Sequence, residues 1–140
     1  MKTKDKTYSI IPLLFVLLFC VSACSTNEKK ATAPGANKAY TQISQDAAKD
    51  MILKDSRLVI VDVRSKGEYE EGHIPGALLI PNESINDRKP ELLPDMNQVI
   101  LVYCRSGNRS KQAAQKLANM GYKKVYEFGG INTWNGKIVK

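Results

Sequence analysis

The stretch Val99-Ile100-Leu101-Val102-Tyr103-Cys104-Arg105-Ser106-Gly107-Asn108-Arg109-Ser110 holds an apolar run, a polar loop around a cysteine, and the start of a helical pattern. A continuous run such as Val99 to Tyr103 suits a strand covered on both faces, as in a parallel sheet. From Ser110 to Met120 the apolar residues Ala113, Ala114, Leu117 and Ala118 recur at helical spacing, and Gly121 stands where a C-cap belongs. Strand, loop and helix in that order predict an α/β fold, with the loop at the carboxyl end of a parallel strand.

Outward from this stretch the same alternation repeats. Leu58 to Val63 is a second β-rich run, and Lys124 to Phe128 a third. Tyr40 to Ile43 and Ala77 to Ile80 read as shorter strands. Ser44 is placed to cap a helix over residues 45–53, with Ala47, Ala48, Met51 and Ile52 inward. Ser65 and Glu68 have capping-box spacing for a short helix reaching Glu71. The proline-rich region from Asn82 to Leu93 predicts a short helix and irregular chain. Gly129-Gly130 should turn the chain into a last short helix holding Ile131 and Trp134. Strands alternating with helices over about 100 residues predict one three-layer α/β domain with a mainly parallel central sheet.

The loop has the ingredients of a nucleophile. A helix start offers unpaired N–H groups and a positive dipole end. Those groups and nearby arginines favour a thiolate. Gly107 permits a tight backbone path. Ser106 and Asn108 lie on the same loop, and Arg105 and Arg109 add charge that can bind an oxyanion. Cys104 is therefore the candidate catalytic residue, with Arg105, Ser106, Gly107, Asn108 and Arg109 as candidate substrate-binding residues. The bland alternative for Cys104 is a buried, inert thiol. The single histidine, His73, has nothing that places it beside Cys104. One usable cysteine and one histidine make no metal site, and no cofactor is expected.

Asp62 and Arg64, at a strand end, read as loop-holding residues, and Glu68 as a partner for Arg64. His73 and Pro75 read as turn-shaping. Trp134 reads as core or pocket wall.

The N-terminus reads differently. Met1 to Lys6 is basic, Ile10 to Val21 is apolar apart from Pro12, and Ser22-Ala23-Cys24 follows. A basic segment, an apolar segment of roughly 7–15 residues and small residues describe a signal peptide. The apolar run is short for a membrane span of about 20 residues. Residues 1–23 are read as the signal, 24–38 as a polar, flexible tether, and 39–140 as the folded domain. Cys20 falls in the signal. The whole chain carries a formal net charge of +7, with its basic residues scattered apart from the group Arg105, Arg109 and Lys111. No basic run with interleaved aromatics is present, so nucleic acid is not an expected partner.

Two resemblances sharpen these readings. Val21-Ser22-Ala23-Cys24 resembles the lipobox of bacterial lipoproteins. This implies diacylglycerol on the Cys24 sulfur, cleavage before it, and acylation, such as by palmitate, of the new amino terminus. The chain would then be exported and lipid-anchored on the outer face of a cell membrane, leaving Cys104 as its one free thiol.

The domain resembles single-domain rhodaneses. Four pieces carry the resemblance in order: Val61 to Arg64 with Glu68-Tyr69; Gly72 to Ala77; the Cys104–Arg109 loop; and Gly121-Tyr122 through Val125-Tyr126 to Phe128-Gly129-Gly130-Ile131 and Trp134. Four residues separate Cys104 from Arg109. Tyrosine-type phosphatases have five, in a loop that fits phosphate or arsenate, so a phosphatase or arsenate reductase is the lesser reading. The domain stops soon after Trp134, which implies a shortened terminal helix. The resemblance implies a monomeric sulfurtransferase. Sulfur from a small anionic donor such as thiosulfate would ride on Cys104 as a persulfide and pass to a thiol or cyanide. A non-catalytic binding module is the other alternative.

If the lipobox is processed, Cys24→Ala abolishes acyl-chain labelling and releases the protein from membranes. Equal membrane retention of the variant contradicts the anchor.

Overall fold

The structure, a computed structural model, describes residues 39–140. The signal, Cys24 and the tether lie outside the described residues. Five strands form one sheet: β1 (Thr41–Gln42), β2 (Val59–Asp62), β3 (Ala77–Leu79), β4 (Val99–Cys104) and β5 (Lys124–Gly130). Their order is β1-β5-β4-β2-β3, and every pair is parallel. Three helices connect them: α1 (Gln45–Lys54), α2 (Lys66–Glu71) and α3 (Asn108–Met120).

Period-two alternation along β4 divides the core into two layers. Ile100, Val102 and Cys104 face α3, packing with Ala113, Ala114, Leu117, Tyr122 and Val125. Leu101 and Tyr103 face the other way, with Ala48 of α1, Ile60, Ile74 and Phe128. Both faces are covered, which is why β2 and β4 are apolar along most of their length, with Asp62 closing β2. Burying one such aliphatic side chain contributes about 1.5–3 kcal/mol. Leu117, fully buried, anchors α3 this way.

The helix starts follow local chemistry. The Ser44 hydroxyl accepts from the Ala47 N–H at 3.1 Å. Ser65 and Glu68 form the expected capping box. α3 begins at Asn108, two residues earlier than its apolar spacing suggests, because Gly107 (φ +100) reverses the chain at once. The region after β3 forms only a 3-10 turn, Asn82–Ser84. The segment after β5 is likewise a 3-10 turn, Ile131–Thr133, and Trp134 lies beyond it. Past Trp134 the chain is not helical. It returns to His73, which exchanges backbone hydrogen bonds with Val139 at 2.8 and 2.9 Å.

One buried polar knot ties the strand ends that carry the loops. Arg64 grips the Asp62 carboxylate at 2.6 to 3.0 Å and donates to the Gly72 carbonyl at 2.7 Å. The Tyr103 hydroxyl donates to Asp62 at 2.7 Å and accepts from the Ile74 N–H at 3.1 Å. Burial, with Asp62 beside it, pushes the Tyr103 hydroxyl up, so it stays a donor. Asp62 and Arg64 thus hold the Gly72–Ile74 loop against β2 and β4. His73 stacks on Tyr69 at 3.7 Å within the same turn. No described helix is long and apolar enough to cross a membrane.

Candidate active site

β4 delivers Cys104 to the carboxyl edge of the sheet, and α3 begins four residues later. Open α/β sheets place ligand sites at that edge. Cys104 is 1% exposed, whereas Arg105, Ser106 and Asn108 are exposed. The sulfur thus sits at the base of its own loop. It accepts from the Gly107 N–H at 3.1 Å. Burial pushes the Cys104 thiol up, but hydrogen bonds from Ser110, through hydroxyl and N–H, and from the Ser106 and Gly107 N–H groups outweigh it. The thiol ends below its ordinary value. The loop is therefore a nest of donors around a nascent anion.

Two glycines make the loop possible. Gly107 takes a positive φ that side-chain-bearing residues rarely adopt. Gly130 packs directly under the loop: a Cβ there would meet the Arg105 carbonyl oxygen at 2.3 Å and Ser106 Cα at 2.5 Å. The loop is tied down from the other side too, since the Asn132 N–H donates to the Arg105 carbonyl at 3.2 Å.

The two arginines part company. The Arg105 side chain makes no ion pair among the described residues and stands exposed at the mouth. Arg109 is gripped by both oxygens of Glu68, at 2.7 Å each. Glu68 therefore pairs with Arg109 across the site, not with Arg64 as its sequence position suggests; Arg64 is saturated by Asp62 and Gly72. Arg109 contributes its charge to Cys104 from within that pair. Beside the loop lies a cleft of about 430 Å³, whose lining includes Ser106, Gly107, Lys111, Gln45 and Glu127. Trp134 packs on Phe128 at 5.6 Å and walls a different, apolar cavity with Ile52, Leu53 and Pro75.

Ser110, Glu127 and Gln45 escaped the sequence reading. Ser110 is fully buried, and its hydroxyl donates to Glu127 at 2.6 Å. Gln45 reaches from α1 to the Gly130 carbonyl at 2.8 Å. Glu127 was detectable in principle. It alternates in phase with inward-facing Val125, so the period-two pattern of β5 places a carboxylate in the core.

The match to known proteins follows this geometry. The rhodanese-like domain profile matches residues 44–137, which include every element from α1 to the turn after β5. The chain belongs to the rhodanese family. A putative sulfur carrier protein of Bacillus subtilis, YrkF, is 40% identical over 97 residues. That match covers 69% of this chain and 51% of the relative, so the chain spans about half the length of that protein. The thiosulfate sulfurtransferase PspE of Escherichia coli is 38% identical over 71 residues, covering 51% of this chain and 68% of the relative. Among solved structures, a rhodanese from E. coli described with anions matches at 35% identity and a TM-score of 0.54. It covers 59% of this chain and 96% of that one. The rhodanese likeness thus joins an observed fold to relatives that include a thiosulfate sulfurtransferase.

The Glu68–Arg109 pair ties α2 to α3 and gives a pH prediction. Glu68 is held at about 2, against 4.5 ordinarily, first by the Arg109 hydrogen bonds and then, against the cost of burial, by Ser65. A depressed folded pKa stabilises above the ordinary value and ceases to as pH falls through the folded one. Glu68→Gln keeps the capping box but loses the ion pair. It is expected to cost about 1 kcal/mol at pH 7 in urea unfolding. The difference from the parent should shrink between pH 4.5 and pH 2. A cost independent of pH contradicts the pairing.

Proposed function

We propose that this rhodanese domain moves sulfane sulfur from a small anionic donor such as thiosulfate to a thiol or cyanide, through a persulfide on Cys104. The observation that carries the reading is the Cys104 sulfur itself, buried yet held by loop N–H donors that favour its anion.

The chemistry follows from that geometry. The Cys104 thiolate attacks the outer sulfur of thiosulfate. An S–S bond forms to Sγ, the donor's own S–S bond breaks, and sulfite leaves with the electron pair. The outer persulfide sulfur is now the anion. Preorganised N–H groups stabilise such charge without rearranging. Cyanide or a thiolate then attacks that sulfur, and Cys104 leaves as thiolate. Two half-reactions through a covalent intermediate make ping-pong kinetics the expected pattern. Exposed Arg105 and Lys111 supply positive charge at the mouth, which favours an anionic donor. Arg105, Ser106, Gly107, Asn108 and Arg109 bind that donor in this reading, Arg109 through its charge.

The same proposal places the domain outside the cell membrane, monomeric and held by lipid on Cys24. Its support is the leader and lipobox in the sequence.

The test is Cys104→Ser, a near-isosteric change at a packed site. The variant should keep its folded circular dichroism and lose thiocyanate formation from thiosulfate and cyanide by at least a thousandfold. A folded variant with the parent rate would leave Cys104 incidental and favour a binding module.

A further inference from the structure

The sulfur chemistry leaves one apolar surface without a role. Between the C-terminal half of α1 and the segment after Trp134 runs a groove of about 250 Å³. Its walls are Ile52, Leu53, Ile74, Pro75 and Trp134, and no residue of the Cys104–Arg109 loop lines it. Leu53 is 83% exposed, more than any other large apolar side chain among the described residues. The core does not use it: α1 is seated by Ala48, with Met51 and Ile52 packed beside it. A lone exposed leucine is ordinary, but one set against an open apolar groove marks a contact surface.

The rim of the groove is cationic. Lys49 and Lys137 both line it, and the Lys49 ammonium stands 5.7 Å from the centre of the Trp134 ring. Carboxylates on this face are Asp46 and Asp50. Each is engaged by a lysine of α1, Asp46 by Lys49 at 2.7 Å and Asp50 by Lys54 at 3.8 Å. Lys137 makes no ion pair among the described residues and leaves the rim net positive. The Trp134 indole N–H donates to the Lys137 carbonyl at 3.3 Å, so the polar edge of the ring is satisfied within the protein. Tryptophan and leucine flanked by lysines suit the boundary between lipid headgroups and acyl chains.

The chain outside the described residues enters at the matching end of the domain. Ala39 lies beside Gly121 to Lys123, which lead into β5. Asp55, the C-cap of α1, lies beside Val99 and Lys124, the first residues of β4 and β5. Chain entry and the Leu53 end of α1 therefore share the amino edge of the sheet. Residues 24–38 span at most about 50 Å even fully extended. Confinement within such a reach gives a weak surface an effective concentration on the order of millimolar.

We propose that this face docks on an anionic lipid bilayer, with Leu53 and Trp134 at the headgroup boundary and Lys137 on lipid phosphates. The proposal rests on the reading that lipid on Cys24 holds the chain at a membrane. Anionic headgroups complement the uncompensated lysine. A twofold pair of copies would instead present the same lysines from both sides.

Trp134 is the only tryptophan in the chain, so its fluorescence reports this face alone. The unprocessed full chain, tagged with histidines at its amino terminus, is held by a nickel-chelating lipid on phosphatidylglycerol–phosphatidylcholine vesicles. Attachment then does not depend on Cys24, and a failed lipid anchor cannot be mistaken for failed docking. With acyl chains brominated near the headgroups, Trp134 emission should fall by at least half relative to unbrominated vesicles. Leu53→Gln and Lys137→Glu, both at exposed positions, should each remove most of that quenching while the chain still floats with the vesicles. Equal emission on brominated and unbrominated vesicles overturns the proposal. So does quenching that both variants retain in full. Self-association of the parent in vesicle-free sedimentation, abolished by Leu53→Gln, would assign the face to a second copy and overturn it as well.

Discussion

A sulfur that must carry negative charge while shut away from water depends on hydrogen bonds from the protein. At Cys104 those donors are, beside the Ser110 hydroxyl, backbone N–H groups, which cannot rotate away as side chains do. Everything else near the site serves to bring consecutive N–H groups to one point. The parallel sheet ends there, α3 starts there, and Gly107 makes the turn that joins them. Gly130 yields the space that the loop backbone occupies. The Asp62–Arg64–Tyr103 knot fixes β2, β4 and the Gly72–Ile74 loop below, so the strand ends do not splay.

Charge is divided between what holds the loop and what faces substrate. Both arginines of the loop look like ligand-binding groups in the sequence. In the fold, Arg109 is a bracket between α3 and α2, closed by a bidentate carboxylate, while Arg105 is exposed and makes no ion pair among the described residues. A fixed cation lends field without mobility; an exposed one can close on an incoming anion.

The fold was legible because it rests on local patterns. The unbroken apolar runs of β2 and β4 demand cover on both faces, and Ser44 and Ser65 mark helix starts by cap chemistry that needs only a few residues. The start of α3 was misjudged because its first turn, Asn108 to Ser110, carries no apolar signal; a glycine at positive φ begins it. Cys104 stood out from its neighbours in sequence. Glu68 did not reveal its partner, since two arginines were available and only the three-dimensional path showed Arg64 already occupied. The pairing of Ser110 with Glu127 was hidden for a similar reason. Their contact joins α3 to β5 across a bulge, and no local spacing rule reports an added residue in a distant strand.

The account stands on Cys104 being a covalent carrier of sulfur. The most direct measurement is the intact mass of the protein after incubation with thiosulfate and rapid desalting. The account predicts a gain of one sulfur atom, confined to the Cys104 peptide and removed by cyanide. An unchanged mass in a folded protein whose Cys104 still alkylates would contradict it.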